Sequence, residues 1–497
     1  MTDTLRGSGE KRLVIGAAPT FELSPYLFMQ FMEPLGTTDS SVEAAWDHQR
    51  DCWRQDVIDV TRELRPPLIR WGGCLSSYYR WKEGVGPREK RVPYHNLLWG
   101  GIESSQVGTA EFVDFCHQVG ADPLLAVNFE SDGRQHWAHP GKGMERSAGP
   151  EEAAEWVDYC NNPDSVLRRK HGHPEPFRVS LWQIGNETSY DPRGYDVETA
   201  ARRTLAFAKA MRRADPAIRL IGWGDGDPKT YQNPFAPRMI EIAGEELNYI
   251  AFHHMWNPCA VDPDFEPRHY RADPERTWDL LMRAYQPHEA KIRYMRDLVS
   301  GSGLPLALTE CHFAIPGKHR NELLSSWAAG VSYARVLNAQ ARHGDILKIA
   351  TAADFCGTRW TCNAIMIPTP VGKGRAYMQP VASVMALYRK HTGERALDVL
   401  SVPAGLDATA SRTGDTIFLH VVNTSRVRDV EVQLQVEGLP ISSGRVFQIA
   451  ADPQEEVDEF APDVFAPTES TIAPDGHWTF PAASVTCVEL TVGSPLE

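Results

Sequence analysis

The segment Leu181-Trp182-Gln183-Ile184-Gly185-Asn186-Glu187-Thr188 joins a short apolar run to an amide and a carboxyl side chain. The apolar run predicts a buried strand, and Asn186 and Glu187 then lie where that strand ends. A second segment, Pro305-Leu306-Ala307-Leu308-Thr309-Glu310, repeats the pattern. Two apolar strands that each end in a glutamate are typical of an enzyme that uses paired carboxylates on a hydroxyl-rich substrate.

Strand-like and helix-like segments alternate from about residue 25 to residue 385. Residues 45–64 and 111–119 place apolar side chains at helical spacing, whereas residues 123–127 form a continuous apolar run. This alternation predicts the α/β class, with a parallel sheet covered by helices. Polar side chains follow the strands, as at the active face of a (β/α)8 TIM barrel. They are Arg70, Asn128, Glu187, His253 and Glu310.

The pattern changes after about residue 393. Residues 430–436, for example, alternate apolar and polar side chains, and Pro, Gly, Asp and Ser separate the later runs. This texture predicts a small antiparallel β-sandwich. We therefore expect an N-terminal segment over residues 1–25 with a strand that joins the sandwich, a catalytic (β/α)8 barrel over residues 26–392, and the β-sandwich over residues 393–497.

Charge and cysteine content limit the partners and the compartment. The net charge of −14 argues against nucleic acid or an anionic membrane, because both bind basic surfaces. The polar N-terminus lacks the apolar core of a secretory signal, and no segment is long and apolar enough to span a membrane. Nine scattered cysteines without a Cys-x-x-Cys pair favour reduced thiols. We therefore expect a cytoplasmic protein with neither nucleic acid nor membrane as partner.

Each candidate residue also has a purely structural interpretation. A single glutamate at a strand end is commonly a surface residue, but the joint placement of Glu187 and Glu310, with Asn186 adjacent, favours an active site. Arg70 ends an apolar strand, and a buried guanidinium needs a carboxylate partner, which a catalytic glutamate can supply. The pair His253-His254 has no matching metal-ligand spacing, so we expect no metal and no cofactor.

Aromatic side chains flank the same strand ends. The apolar faces of sugar rings pack on aromatic rings, while the sugar hydroxyls need polar partners. We expect most of these aromatics to lie in the core and two or three to face a ligand. The set is Trp71, Tyr78, Tyr79, Trp81, Trp99, Trp182 and Trp256.

An ordered series of motifs resembles glycoside hydrolase family 51, the α-L-arabinofuranosidases, from about residue 21 to the C-terminal sandwich. The resemblance implies a retaining enzyme that removes terminal α-L-arabinofuranosyl residues from oligosaccharides by double displacement, and that assembles as a homo-oligomer. The matching segments are Phe31-Met32-Glu33-Pro34-Leu35-Gly36, Leu68-Ile69-Arg70-Trp71-Gly72-Gly73, residues 79–88, 108–116, 156–161 and 171–177, and Gly185-Asn186-Glu187.

The resemblance also implies roles for individual residues. Glu187 resembles the acid/base residue of the family and Glu310 its nucleophile. Cys74 occupies a sugar-contacting position where the family often has asparagine. The expected substrate-binding set is Glu33, Arg70, Cys74, Asn128, Asn186, His253 and Gln379.

The chain departs from the family pattern around Glu310. Met255 stands where the family typically has a tyrosine, and Cys311-His312 stand where it usually has Trp-Asn. These departures leave the substrate open more than the reaction class. The alternatives are another furanoside, a β-xyloside or an internal glucan linkage, and a non-catalytic sugar-binding relative is the remaining possibility.

Overall fold

The computed structural model describes residues 11–33, 44–74, 76, 79–96, 102–129, 146–190, 195–227, 230–315, 322–358 and 360–493. Residues 1–10, the motif residues Pro34-Leu35-Gly36, and the aromatics Tyr78 and Trp99 lie outside this part of the chain. Within it, no helix has the length and apolar character needed to cross a bilayer.

Strands and helices follow one another through the first four fifths of the chain. The strands are β1 (Arg12–Glu22), β2 (Gln30–Met32), β3 (Trp46–Asp47), β4 (Cys52–Trp53), β5 (Leu68–Trp71), β6 (Tyr94–His95), β7 (Ile102–Glu103), β8 (Asp122–Val127), β9 (Leu181–Ile184), β10 (Arg219–Trp223), β11 (Tyr249–Trp256), β12 (Leu306–Phe313), β13 (Leu347–Ala350), β14 (Asp354–Gly357), β15 (Asn363–Met366) and β16 (Tyr377–Met378). The α-helices span Gln55–Leu64, Thr109–Val119, Pro150–Asn161, Val166–Lys170, Val197–Ala214, Ala236–Ala243, Pro258–Val261, Pro274–Met282, Tyr285–Val299, Trp327–Arg342 and Pro380–Lys390.

Eight of these strands form a parallel sheet in chain order, which is the sheet that the alternating pattern predicts. The order is β13-β12-β11-β10-β9-β8-β5-β2, and β14, β15 and β16 continue beyond β2. The backbone N–H of Met29, next to β2, donates to the carbonyl of Ala350 in β13 at 2.9 Å. Because the first and last of the eight strands meet in this way, the sheet is nearly closed.

Apolar side chains of the helices pack on this sheet. The helix Thr109–Val119 buries Phe112, Phe115 and Cys116, as its spacing predicts. The helix expected over residues 45–64 begins only at Gln55. Its first part is instead a hairpin in which Trp46 pairs with Trp53, and their rings meet edge to face at 5.2 Å. Burial of two large indoles in a hairpin therefore outweighs the helical spacing of this segment.

A second sheet contains the C-terminal strands and β1. Its order is β22-β21-β24-β19-β18-β17-β1-β20-β23. The strand β1 pairs antiparallel with β17 and parallel with β20. Leucine, isoleucine and valine side chains from β1, β19, β20 and β24 form a buried cluster of their own. The new strands are β17 (Arg395–Ser401), β18 (Leu406–Thr413), β19 (Thr416–Asn423), β20 (Val430–Val436), β21 (Ile441–Ala450), β22 (Thr468–Ile472), β23 (His477–Phe480) and β24 (Ser484–Val492).

Candidate active site

Glu187 and Glu310, far apart in the sequence, meet at the carboxyl-terminal ends of the parallel strands. Glu187 follows β9 with a left-handed backbone (φ 52°), and Glu310 lies in β12. One carboxylate oxygen of each glutamate and a ring nitrogen of His253 all lie within 4.8 Å of one another. Both carboxyl groups are more than nine tenths buried. The fold therefore brings together the two glutamates that the sequence pattern singled out.

Arg70 holds one side of this site. Its fully buried guanidinium donates from Nη1 to Oε1 of Glu310 at 2.8 Å, which is the ion pair expected for an arginine in an apolar strand. Nε donates to Oε1 of Gln183 at 2.8 Å, and Nη2 donates to Oδ1 of Asn186 at 2.6 Å. The planar fork thus fixes three side chains from β9, its following turn and β12 at once.

His253 connects the two glutamates. Its Nδ1 lies 3.0 Å from Oε1 of Glu187 and 3.6 Å from Oε2 of Glu310, and its Nε2 lies 2.9 Å from Oγ1 of Thr309. Burial lowers the pKa of His253 to about 4, so the ring is neutral near pH 7. A neutral imidazole has one N–H, and the Thr309 hydroxyl can donate to Nε2. We therefore assign the proton to Nδ1, where it faces the carboxylates.

A close approach of β2 and the segment after β5 positions two more candidates. A Cβ added to Gly73 (φ 151°) would lie 2.4 Å from Cδ of Glu33, so only glycine allows the Glu33 carboxyl group to lie there. The next residue, Cys74, donates its thiol to Oε2 of Glu187 at 3.5 Å. Gly73 therefore sets the distance between Glu33 and the chain that carries Cys74.

Asn128 and Gln379 differ in their surroundings. Asn128 donates to the backbone carbonyls of Tyr79 and Arg146 and accepts from the N–H of Ala148, so it braces the chain after β8. Gln379 is buried at the start of the helix Pro380–Lys390, and neither atom of its amide has a hydrogen-bond partner within the described ranges. A buried amide in that condition is costly, and a polar ligand would satisfy it.

Two domain models of one protein family match the chain. The alpha-L-arabinofuranosidase 1 domain matches residues 60–271, and the alpha-L-arabinofuranosidase C-terminal domain matches residues 311–484. The chain belongs to the α-L-arabinofuranosidases of glycoside hydrolase family 51.

Several relatives of this arabinofuranosidase family member are similar over part of their length. Alpha-L-arabinofuranosidase C of Emericella nidulans is 36% identical over 186 residues, which are 36% of this chain and 34% of that protein. The intracellular exo-alpha-(1->5)-L-arabinofuranosidase of Acetivibrio thermocellus is 32% identical over 215 residues, 41% of this chain and 39% of that protein. The matched segment thus spans only about a third of the E. nidulans relative.

Solved structures of the family share the fold over nearly the whole chain. The GH51 arabinofuranosidase from Xanthomonas axonopodis pv. citri superposes with a TM-score of 0.80 at 21% identity, covering 97% of this chain and 100% of that chain. The alpha-L-arabinofuranosidase from Thermotoga maritima, an arabinose complex, gives a TM-score of 0.73 at 24% identity, covering 96% and 99%. At these identities the likeness establishes the fold alone.

The family member also has a buried ion pair beneath the site that the sequence did not reveal. Asp225 accepts from the hydroxyl of Tyr190 at 3.1 Å and from the backbone N–H of His253 at 3.4 Å. Lys291, from the helix Tyr285–Val299, pairs with Asp225, and both side chains are almost fully buried. The segment Asp225-Gly226-Asp227 has the composition of a turn, and a lysine within a polar helix gives no signal of burial.

The described aromatics of this family member are buried and pack against other aromatic rings. Trp81 stacks on Trp156 with ring planes 3° apart, and Trp256 meets Phe313 edge to face. The prediction that most of the set lies in the core is correct for its five described members. The buried members are Trp71, Tyr79, Trp81, Trp182 and Trp256.

Proposed function

We propose that this protein is a retaining glycosidase that removes terminal α-L-arabinofuranosyl residues from oligosaccharides. The observation that carries the proposal is the approach of a Glu187 oxygen to within 4.8 Å of a Glu310 oxygen. Retaining glycosidases place their carboxyl groups about 5–5.5 Å apart, whereas inverting enzymes leave about 6.5–9.5 Å for a water molecule. The short separation supports a nucleophile and an acid/base residue on the two sides of one bond.

In the first step Glu310 attacks the anomeric carbon, and Glu187 protonates the departing oxygen. The bond from the anomeric carbon to that oxygen breaks, and a glycosyl-enzyme ester forms on Glu310. In the second step Glu187 takes a proton from water, whose oxygen displaces Glu310 from the sugar. The positive charge of Arg70, 2.8 Å from Glu310, orients the nucleophile and stabilises its carboxylate when the ester is released.

The residues around this pair are proposed to bind the sugar hydroxyls and to orient Glu187. His253 and Cys74 each hold one oxygen of Glu187, which fixes the direction of proton transfer. The buried amide of Gln379 supports a role as donor and acceptor to the furanose. Asn186, Glu33 and Asn128 complete the proposed set, the last through the chain that it braces.

We further infer a closed barrel, a C-terminal β-sandwich, a cytoplasmic location and a homo-oligomer. The contact between Met29 and Ala350 supports closure of the eight parallel strands into a (β/α)8 barrel over residues 26–392. The separate apolar cluster supports a C-terminal β-sandwich over residues 393–497 to which residues 1–25 contribute a strand. The scattered cysteines of the sequence, which form no Cys-x-x-Cys pair, support a cytoplasmic enzyme. A homo-oligomer follows from the family resemblance, and light scattering of the purified protein tests it.

Two substitutions test the assignment of roles. Glu310→Ala should lower kcat/KM on an aryl α-L-arabinofuranoside by at least about a thousandfold, because no covalent intermediate can form. Glu187→Ala should reduce turnover of an arabino-oligosaccharide far more than that of an aryl substrate, whose good leaving group needs no proton. Equal losses on both substrates would reject the acid/base role. The exposed Glu175→Gln is the matched control and should retain full activity.

Two further measurements separate the alternatives. Aryl arabinofuranoside, galactofuranoside, xyloside and glucoside substrates, tested side by side, identify the preferred sugar, and a preference for any but the first would replace the proposed substrate. A mechanism-based furanosyl inactivator, followed by peptide mass mapping, should label Glu310. Absence of label together with retained sugar binding would point to a non-catalytic relative instead.

A further inference from the structure

Three side chains from three separate segments come together near Glu310. The proposed reaction uses none of them. His312 lies two residues after Glu310 in β12, Asp354 begins β14, and Cys362 directly precedes β15. Because Asp354 pairs with the residue after Cys362 across the parallel strands, the carboxyl and thiol groups come together. One potential ligand atom of each side chain lies within 4.8 Å of the other two.

This group contains polar atoms that the protein leaves without partners. Nδ1 of His312 and Oδ1 of Asp354 are buried, and no hydrogen-bond partner for either occurs among the described residues. His312 Nε2 stands 3.9 Å from Asp354 Oδ1, which is too long for a hydrogen bond. Within the described part of the chain, no lysine or arginine pairs with any of the three side chains. A cation would satisfy the imidazole and the carboxylate together.

The neighbouring cluster of Glu187, His253 and Glu310 is equally compact but chemically different. Its members already have partners, and the guanidinium of Arg70 lies 2.8 Å from Glu310. A fixed positive charge at that distance opposes a metal ion. The proposed catalytic centre therefore already contains a cationic side chain, Arg70, whereas the described residues supply no lysine or arginine to the adjacent group.

The donor set selects the ion. A thiolate sulfur and an imidazole nitrogen suit zinc, whereas calcium and magnesium prefer sites built from oxygen. We propose that His312, Asp354 and Cys362 bind one Zn²⁺ at the mouth of the parallel sheet, beside Glu310. Three protein ligands leave one tetrahedral position, which is open to water or to a ligand hydroxyl because His312 and Asp354 retain 20% and 13% side-chain exposure.

Binding exchanges a proton for the metal. Burial raises the pKa of the Cys362 thiol well above its usual value, and the Asp354 carboxylate beside it acts in the same direction. The metal-free thiol is therefore protonated. Formation of the zinc–sulfur bond releases that proton to solvent, so affinity falls as the pH is lowered.

The test measures metal directly and needs no glycosidase activity. The full chain, dialysed against zinc and then against metal-free buffer, should retain about one zinc per molecule by mass spectrometry. Cobalt(II) added to the metal-free protein should give a near-ultraviolet thiolate-to-cobalt band. Cys362→Ser should abolish the band, whereas Cys356→Ser, a buried cysteine in β14 outside the group, should retain it.

Two outcomes would overturn the proposal: no zinc retained by the folded wild-type chain, or an unchanged cobalt band in Cys362→Ser. Asp354→Asn supplies an independent variant if Cys362→Ser does not fold. It should weaken zinc binding at least about 100-fold while its circular dichroism stays that of the wild type. Unchanged zinc affinity in folded Asp354→Asn would also reject the site. A catalytically inactive protein that binds zinc would contradict the proposed function and leave this inference intact.

Discussion

Three buried histidines should make the stability of the protein depend steeply on pH. Burial lowers the pKa of His253 to about 4, of His254 to about 3 and of His420 to about 4, from an ordinary value of 6.5. In the unfolded chain each ring binds a proton below pH 6.5, whereas in the folded protein it stays neutral. Their contribution to stability is therefore full above the unfolded pKa and is lost as the pH falls toward the folded pKa.

The linkage relation gives the size of the effect. At pH 8 a ring takes up almost no proton on unfolding, whereas at pH 5 it takes up nearly one. Integrated between these two pH values, the proton uptake lowers the stability of the folded state by about 2 kcal/mol per ring. For the three rings the loss is about 6 kcal/mol, a large part of the roughly 5–15 kcal/mol that stabilises a typical domain.

His420 offers the clearest perturbation because it lies in the second sheet, away from the proposed active site. Its Nε2 donates to the carbonyl of His391 at 2.7 Å, and its ring stacks on Tyr388 at 4.0 Å. Glutamine can retain the hydrogen bond but does not titrate. In His420→Gln, the stability lost between pH 8 and pH 5 should therefore be smaller than in the wild type by about 2 kcal/mol.

Urea unfolding followed by tryptophan fluorescence at the two pH values measures this difference. The exposed His117→Gln is the control, and its stability should change with pH as that of the wild type does. If His420→Gln lost as much stability as the wild type on acidification, proton uptake by this ring would not drive the acid sensitivity, and the reasoning would be wrong.

Two further substitutions test other parts of the structure. Lys291→Met should lower the melting temperature by about 3–5 °C, because a buried pair that loses one partner costs about 3–5 kcal/mol, and the second substitution Asp225→Asn should restore part of it in scanning calorimetry. Gly73→Ala should lower kcat/KM on an arabinofuranoside about 10- to 100-fold, because its Cβ would lie 2.4 Å from Cδ of Glu33 and must displace that carboxyl group. Wild-type kinetics in a folded Gly73→Ala variant would show that activity does not depend on the present position of the Glu33 carboxyl group.

Much of the sheet could be predicted from local apolar runs. Residues 124–127 and 181–184 form continuous runs, and both are buried strands because each has neighbours on two sides and helices above. The partner of Arg70 was predictable as a carboxylate from the cost of a buried charge. That this carboxylate is Glu310 follows only from the order of strands around the sheet, which brings β5 and β12 to face each other.

Other parts of the site had no local signal. Gln183 looks like an ordinary strand residue, and its role as acceptor for Arg70 depends on the inward direction of its side chain in β9. Lys291 is buried and pairs with Asp225, which comes from a segment far away in the sequence. The expectation of no metal rested on the spacing of neighbouring histidines. The zinc group we propose comes from three segments, so no spacing rule would have detected it.

The position of β1 has a consequence for how the protein is made. Residues 12–22 leave the ribosome long before the two strands that flank them, because β17 begins only at Arg395 and β20 only at Val430. At usual synthesis rates the strand waits on the order of a minute with both edges unpaired. A nascent chain arrested after the parallel sheet and before β17 would therefore carry an exposed, aggregation-prone strand, which makes this interval the stage at which chaperones are most needed.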